Sequence, residues 1–172
     1  MTGQFQIYTG DGKGKTTAAL GLALRAAGAG LRVYFGQFIK TAATSEAAAL
    51  RERFADRITH AVYGPARFVR AAPSADEIAE GRRGLDALRE ALAGGAYDVV
   101  IGDEALGAAA AGLFPEKELL ALAEARPRTV ELVLTGRGAG AALIAAADLV
   151  TEMRAVKHYY EKGVHARRGI EF

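Results

Sequence analysis

The sequence predicts an α/β fold, a mostly parallel sheet of about six strands covered on both faces by about five helices. Three observations carry that prediction. Short apolar runs alternate with helical patterns along the whole chain, a glycine-rich turn joins the first strand to the first helix, and several apolar runs end in polar residues. In a parallel sheet those ends share one edge, outside which ligands gather.

Residues 5–8 read as the first strand, and residues 17–27 as a helix so rich in alanine and leucine that burial nearly all round is expected. Between them lies Thr9-Gly10-Asp11-Gly12-Lys13-Gly14-Lys15-Thr16-Thr17. This fits the pattern G-x-x-x-x-G-K-[ST], except that Thr9 stands where the first glycine belongs and Gly10 takes over the turn. Such a loop can turn successive backbone N–H groups toward one anion. Lys15 adds a point charge, Thr16 a hydroxyl for a magnesium ion bridging two phosphates, and the helix its positive end. A strand before and a helix after favour nucleotide binding over a mere tight turn.

The second strand is expected over 31–39, with Gln37 and Lys40 at its end, and Thr44 or Ser45 caps a helix in which Leu50 and Phe54 share a face. Residues 58–63 form a short strand, and 64–73, with two prolines, a loop long enough to be a lid or a binding loop. Ser74 and Glu77 form a capping box opening a helix with Ile78, Leu85, Leu88 and Leu92 on one face, which Gly94-Gly95 stops. Residues 97–104 are an apolar strand ending in Asp103-Glu104, the form of a Walker B strand. A small-residue helix over 105–112 follows, then a helix over 116–126 bracketed by Pro115 and Pro127. The strand over 129–134 ends in Thr135-Gly136-Arg137, and a second small-residue helix over 139–147 leads to a last strand over 149–153.

A length of 172 residues fits a single domain over 1–172. Twenty-two Lys and Arg against 20 Asp and Glu leave a net charge of +2, too little to imply nucleic acid. The charge is uneven, since Arg154, Lys157, Lys162, Arg167 and Arg168 near the C-terminus face only Glu161 and Glu171. That segment is a solvated face or a clamp for an anionic ligand. The chain has no cysteine, hence no disulfide, thiolate site or cysteine nucleophile. With no leader and no apolar run long enough to span a bilayer, a cytoplasmic protein without a membrane partner is expected.

The polar strand ends converge on one crevice in this fold. Asp103 and Glu104 can hold magnesium directly or through water, or Glu104 can act as a base, which keeps a P-loop ATPase or nucleotide kinase open as a reading. His60, His158 and His165 lack metal-ligand spacing and are read as structural or solvated, His158 excepted by its neighbourhood. No serine–histidine–acid arrangement stands out. A transferase built this way takes its nucleophile from the substrate.

Three blocks together resemble the corrinoid ATP:cob(I)alamin adenosyltransferases. These are the loop from Thr9 to Thr17, then Gln37-Phe38-Ile39-Lys40, then Val156-Lys157-His158 with Gly163 and the closing Arg168-Gly169-Ile170-Glu171-Phe172. Leu134-Thr135-Gly136-Arg137 and the stretch from Ala147 to Arg154 fit between them, so the similarity covers nearly the whole chain. The resemblance implies a RecA-like P-loop NTPase fold in three layers and a homodimer. It also implies an enzyme that transfers the 5′-deoxyadenosyl group of MgATP to the Co(I) centre of cob(I)alamin or a cobinamide-type corrinoid, the electron coming from a flavoprotein reductant. Gly10, Asp11, Gly12, Lys13, Gly14, Lys15, Thr16, Thr17 and Arg137 then serve ATP. Thr16, Glu104 and Asp103 serve Mg2+, with Lys15, Thr16 and Glu104 as the catalytic set. Phe68, Lys157 and His158 take the corrinoid side.

The chain departs from the family pattern in several places. The first strand is expected almost at once, where family members commonly carry an N-terminal helical extension, Arg70 takes the place of a tryptophan, Asp11 replaces a frequent asparagine, and Gly107 a larger residue. A non-catalytic corrinoid or ATP-binding protein is the reading those departures keep open.

Overall fold

The computed structural model describes residues 2–40, 44–64 and 72–172. One sheet holds β1 (Phe5–Thr9), β2 (Val33–Phe38), β3 (Ile58–Tyr63), β4 (Val99–Asp103), β5 (Glu131–Thr135) and β6 (Leu149–Glu152), in the order β3-β2-β4-β5-β1-β6. Every pairing is parallel, so all the strand ends named above do lie on one edge.

The helices are α1 (Lys15–Gly28), α2 (Ser45–Arg53), α3 (Ala75–Ala93), α4 (Ala105–Ala110), α5 (Glu116–Glu124) and α6 (Ala141–Ala146). They divide between the two faces and give the three-layer arrangement. Ala19, Ala23 and Ala26 of α1 and Leu50 of α2 pack against Val33, Phe35, Val99, Ile101 and Val133. Leu85 and Leu88 of α3, Leu106 of α4, Leu119 of α5 and Leu143 of α6 pack against Phe5, Ile7, Tyr34, Phe38, Val100, Leu132 and Leu134. Even strands without polar residues thus keep the two-residue alternation of side chains. Each large side chain so buried contributes about 1.5–3 kcal/mol.

Local signals appear where the sequence puts them. Thr44 caps α2 by accepting from the Ala47 N–H at 3.4 Å. At the start of α3 the Ser74 N–H donates to Glu77 Oε2 at 2.7 Å, and the Glu77 N–H returns to Ser74 Oγ at 3.3 Å. Two expectations need correcting. α1 buries only one stripe, of small residues, and Leu24 is 52% exposed, because a single sheet face covers the helix. Ile78 is likewise exposed at the first turn of α3, ahead of where that helix meets the sheet. Among the described residues the helices number six, and α4 and α5 follow one another on the same face with no strand between them, as the order of elements read from the sequence has it. Among the described residues no helix is long and apolar enough to cross a membrane.

Register decides what meets at the sheet edge. Gln37 pairs with Asp103 across β2 and β4, Gly102 pairs with Leu134 across β4 and β5, and Phe35 pairs with His60 across β2 and β3. Asp103 therefore lies between Gln37 and Thr135, on the face that α1 covers. His60 sits diagonally from Gln37 on that same face.

Candidate active site

The β1–α1 loop is shaped by close backbone packing. Gly10 has φ +96°, and a Cβ there would come within 2.5 Å of the Met153 carbonyl oxygen, so no other residue fits the turn that Thr9 leaves to it. The Gly12 N–H donates to that same carbonyl at 2.7 Å. This donor is spent on the segment after β6, contrary to the expectation that the loop's N–H groups turn together toward an anion. Lys15 is 8% exposed, and its Nζ donates to the Gly10 and Gly12 carbonyls at 2.6 and 2.8 Å. Burial lowers its pKa, with Glu104 the chief opposing influence.

Behind the loop Asp103 is fully buried, and donors surround its carboxylate. Thr135 Oγ1 donates to Oδ1 at 2.7 Å, Gln37 Nε2 to Oδ2 at 3.1 Å, and Thr16 Oγ1 lies 3.0 and 3.1 Å from the two oxygens. Lys40 Nζ stands 3.2 Å from Oδ2 and donates to Thr16 Oγ1 at 3.1 Å. A buried carboxylate is tolerable only when its charge and lone pairs are met in this way. Both oxygens are committed inside the protein. Of the two routes to a cation expected for Asp103, directly or through water, the one through water fits this arrangement.

Glu104 follows in the left-handed region at φ +60°, ψ +18°, its N–H donating to Thr135 Oγ1 at 2.9 Å. A non-glycine residue held there costs about 1–3 kcal/mol, strain that functional sites commonly store. The turn aims Glu104 at the loop instead of letting it continue β4. Burial and the Asp103 charge raise its pKa, against Lys15, Lys40 and Arg137. A Cβ on Gly107 would come within 2.3 Å of Glu104 Oε1, so the missing side chain makes the room this carboxylate occupies.

Both features border one cavity of about 820 Å³. Asp11 to Thr17, Glu104, Arg137 and His158 all line it. Gly10 and Asp103 support it from behind, Lys157 is exposed beside His158 without lining it, and Phe68 and Arg70 lie outside the described residues. Arg137 stands 3.7 Å from Asp11, both well exposed. The far wall is the C-terminal segment after the short 3-10 turn Tyr159–Lys162. Lys13 Nζ donates to the Ile170 carbonyl at 2.8 Å and lies 3.6 Å from Glu171. Glu171 accepts from Tyr159 and Arg167, which hold its carboxyl down at about 2. The basic segment thus spends part of its charge on itself.

Gln37, Lys40, Asp103 and Thr135 are all legible as strand-end residues, but that Asp103 is the partner the other three share is not. His60 Nε2 lies 2.8 Å from Gln37 Oε1, which gives a residue read as structural a link to the site. No motif announces it. The Met153 carbonyl, buttress of the loop, leaves no sequence signal either, because any residue supplies a carbonyl.

Over residues 1–172 the chain matches the family model described as ATP:corrinoid adenosyltransferase BtuR/CobO/CobP. It is 35% identical over 170 residues to a corrinoid adenosyltransferase of Pseudomonas aeruginosa, covering 99% of this chain and 84% of that protein. It is 35% identical over 170 residues to corrinoid adenosyltransferase CobA of Salmonella typhimurium, covering 96% of this chain and 84% of that one. A corrinoid adenosyltransferase of Escherichia coli strain K12 is 33% identical over 166 residues, with 96% and 84% covered.

Proposed function

We propose that this chain, which belongs to the ATP:corrinoid adenosyltransferase family, transfers the 5′-deoxyadenosyl group of ATP to the Co(I) centre of a reduced corrinoid and releases triphosphate. The cobalt electron pair forms the bond to C5′, the C5′–oxygen bond breaks, and its electrons leave on the triphosphate as Co(I) becomes Co(III). The substrate supplies the nucleophile. The protein's part is to align, to neutralise charge and to exclude water.

The observation that carries this reading is the shared cavity. Lys15, Thr16 and Glu104 border one side of it and the C-terminal segment the other, in a volume of about 820 Å³, inside the usual range for small-molecule sites of about 300–1,000 Å³. Residues 11–17 and Arg137 hold the triphosphate, with Lys15 exchanging its two loop carbonyls for phosphate oxygens. Thr16 and Glu104 hold Mg2+, with Asp103 orienting the Thr16 hydroxyl. Hard oxygen donors suit that ion, and a buried carboxyl with a raised pKa beside a second carboxylate marks a place that a dication relieves. Magnesium, when bound, supplies neutralisation of the leaving group's charge. His158, Lys157 and Phe68 attend the corrinoid. The chain acts as a single cytoplasmic domain in a homodimer, with Co(I) produced by a flavoprotein reductant.

An anaerobic mixture of the protein, MgATP and chemically reduced cobalamin tests this directly. Bleaching of the Co(I) spectrum with formation of adenosylcobalamin and triphosphate is expected. Absence of both products overturns the reading, and ADP or inorganic phosphate in their place points to an ATPase or kinase.

A further inference from the structure

We propose that His60 is a positioning residue for the magnesium nucleotide, acting through Gln37 and Asp103 on the Thr16 hydroxyl; this rests on the reading of the site given above. The relay starts at the buried carboxylate. Asp103 can only accept hydrogen bonds, so the Gln37 amide must turn its NH2 toward Oδ2, 3.1 Å away. The amide oxygen is thereby left facing His60 Nε2 at 2.8 Å. A nitrogen facing an acceptor must carry the proton. His60 is therefore assigned the Nε2–H tautomer, and the ring fixes which way the amide points.

Gln37 is fully buried and cannot replace that partner with bulk water. Without the histidine N–H the amide loses the bond that holds its oxygen, and its NH2 is no longer bound to face Asp103. Asp103 Oδ2 then retains Lys40 at 3.2 Å and Thr16 at 3.1 Å. The carboxylate turns toward those two, and the Thr16 hydroxyl is drawn further onto Asp103 and away from the cavity. The register of β3 on β2 makes the contact possible, since His60 pairs with Phe35 and Gln37 lies two residues further along β2. Burial lowers the His60 pKa against the attraction of Glu46 and Asp103, in keeping with a neutral ring. Glu46, Arg51, Lys40 and Asp103 are the charged groups around it.

The test uses the full chain and two variants. His60→Phe keeps an aromatic ring beside Phe35, 6.1 Å away between centroids, and removes the donor. His60→Gln restores an N–H. Nucleotide affinity is measured by calorimetry with and without magnesium. The Gln37 side-chain NH2 and the His60 ring nitrogens are followed by NMR in the nucleotide-free protein. Loss of one hydrogen bond in a buried network predicts that His60→Phe weakens MgATP about fivefold, leaves metal-free ATP unchanged, and shifts the Gln37 NH2 signals. His60→Gln should recover most of the affinity. An Nδ1–H tautomer, unmoved Gln37 signals, or an equal loss with and without magnesium overturns the proposal. Should the wild-type chain bind no nucleotide, the reading of the site falls, while the ring and amide signals still decide whether the relay exists.

Discussion

Two walls of the same cavity are built on different principles. The wall behind the β1–α1 loop centres on Asp103, fully buried, with Thr16, Gln37, Lys40 and Thr135 drawn to it from α1, the end of β2 and β5. The opposite wall is the C-terminal segment, largely exposed, in which Tyr159, Arg167 and Glu171 pair with one another and Glu171 with Lys13 of the loop. Elements far apart in sequence and locked by sheet register make the first wall. Mostly neighbouring residues of one segment make the second. A desolvated, multiply bonded carboxylate resists rearrangement, whereas exposed ion pairs are worth little and exchange partners readily. On the function proposed above, phosphate positioning falls to the rigid wall and admission of a bulky second substrate to the yielding one.

The largest effect expected on that contrast is at Lys15. Lys15→Ala removes the only lysine seated inside the loop, with its Nζ on the Gly10 and Gly12 carbonyls, and should lower adenosyl transfer by at least about a hundredfold. The far-ultraviolet circular dichroism should stay unchanged; retained turnover would contradict the role assigned to the loop.

Asp103→Ala comes next, as an effect on the fold. It strips Thr16, Gln37 and Thr135 of a common acceptor and leaves Lys40 with Glu46, 3.7 Å away, as its remaining carboxylate, at a cost of about 3 kcal/mol. For a chain of this size that corresponds to a melting temperature lower by about 10 °C. A scanning-calorimetry shift below about 2 °C would mean that the rigid wall is not rigid by virtue of this cluster.

Glu104→Gln should separate stability from activity. The raised pKa means that the folded ligand-free chain binds the proton more readily than the unfolded chain. Wild-type stability therefore falls as pH rises from the ordinary carboxylate range through the folded pKa. The glutamine variant lacks that loss, so its melting temperature at pH 7 should exceed that of the wild type and the gap should close as the pH drops. Its magnesium-dependent turnover should fall. A lower melting temperature at pH 7 would count against a charge strained by its surroundings.

The smallest effect belongs to the C-terminal wall. Glu171 has its pKa depressed to about 2, so the contribution of its contacts is complete above the ordinary carboxylate pKa and is lost as pH falls toward about 2. Glu171→Gln at neutral pH should shift the Tyr159 ring signals in NMR in the same direction as acidification of the wild type does, while barely moving the global melting temperature. A large global shift would erase the distinction between the two walls.

Much of this was legible beforehand for reasons that are local. The strand alternation, the capping box at Ser74 and Glu77 and the loop from Gly10 to Thr16 each depend on residues a few positions apart. Polar residues at the ends of apolar strands foretold the edge on which a site would form. The burial of α1 and of Ile78 was misjudged because apolar composition does not say how many faces a neighbour covers.

By itself the sequence determined the fold class, the glycine-rich loop between β1 and α1 and the sheet edge at which the polar residues gather, since backbone geometry and hydrophobic periodicity act over short stretches. Only the tertiary structure decided that His60, Gln37, Asp103, Thr16 and Thr135 form one chain of hydrogen bonds, that Gly12 gives its N–H to Met153, and that Ile170 and Glu171 return to Lys13. The hydrogen bonds among those contacts join residues up to 157 positions apart. They exist because strand order and register, settled by the packing of the whole chain, bring particular side chains to one place.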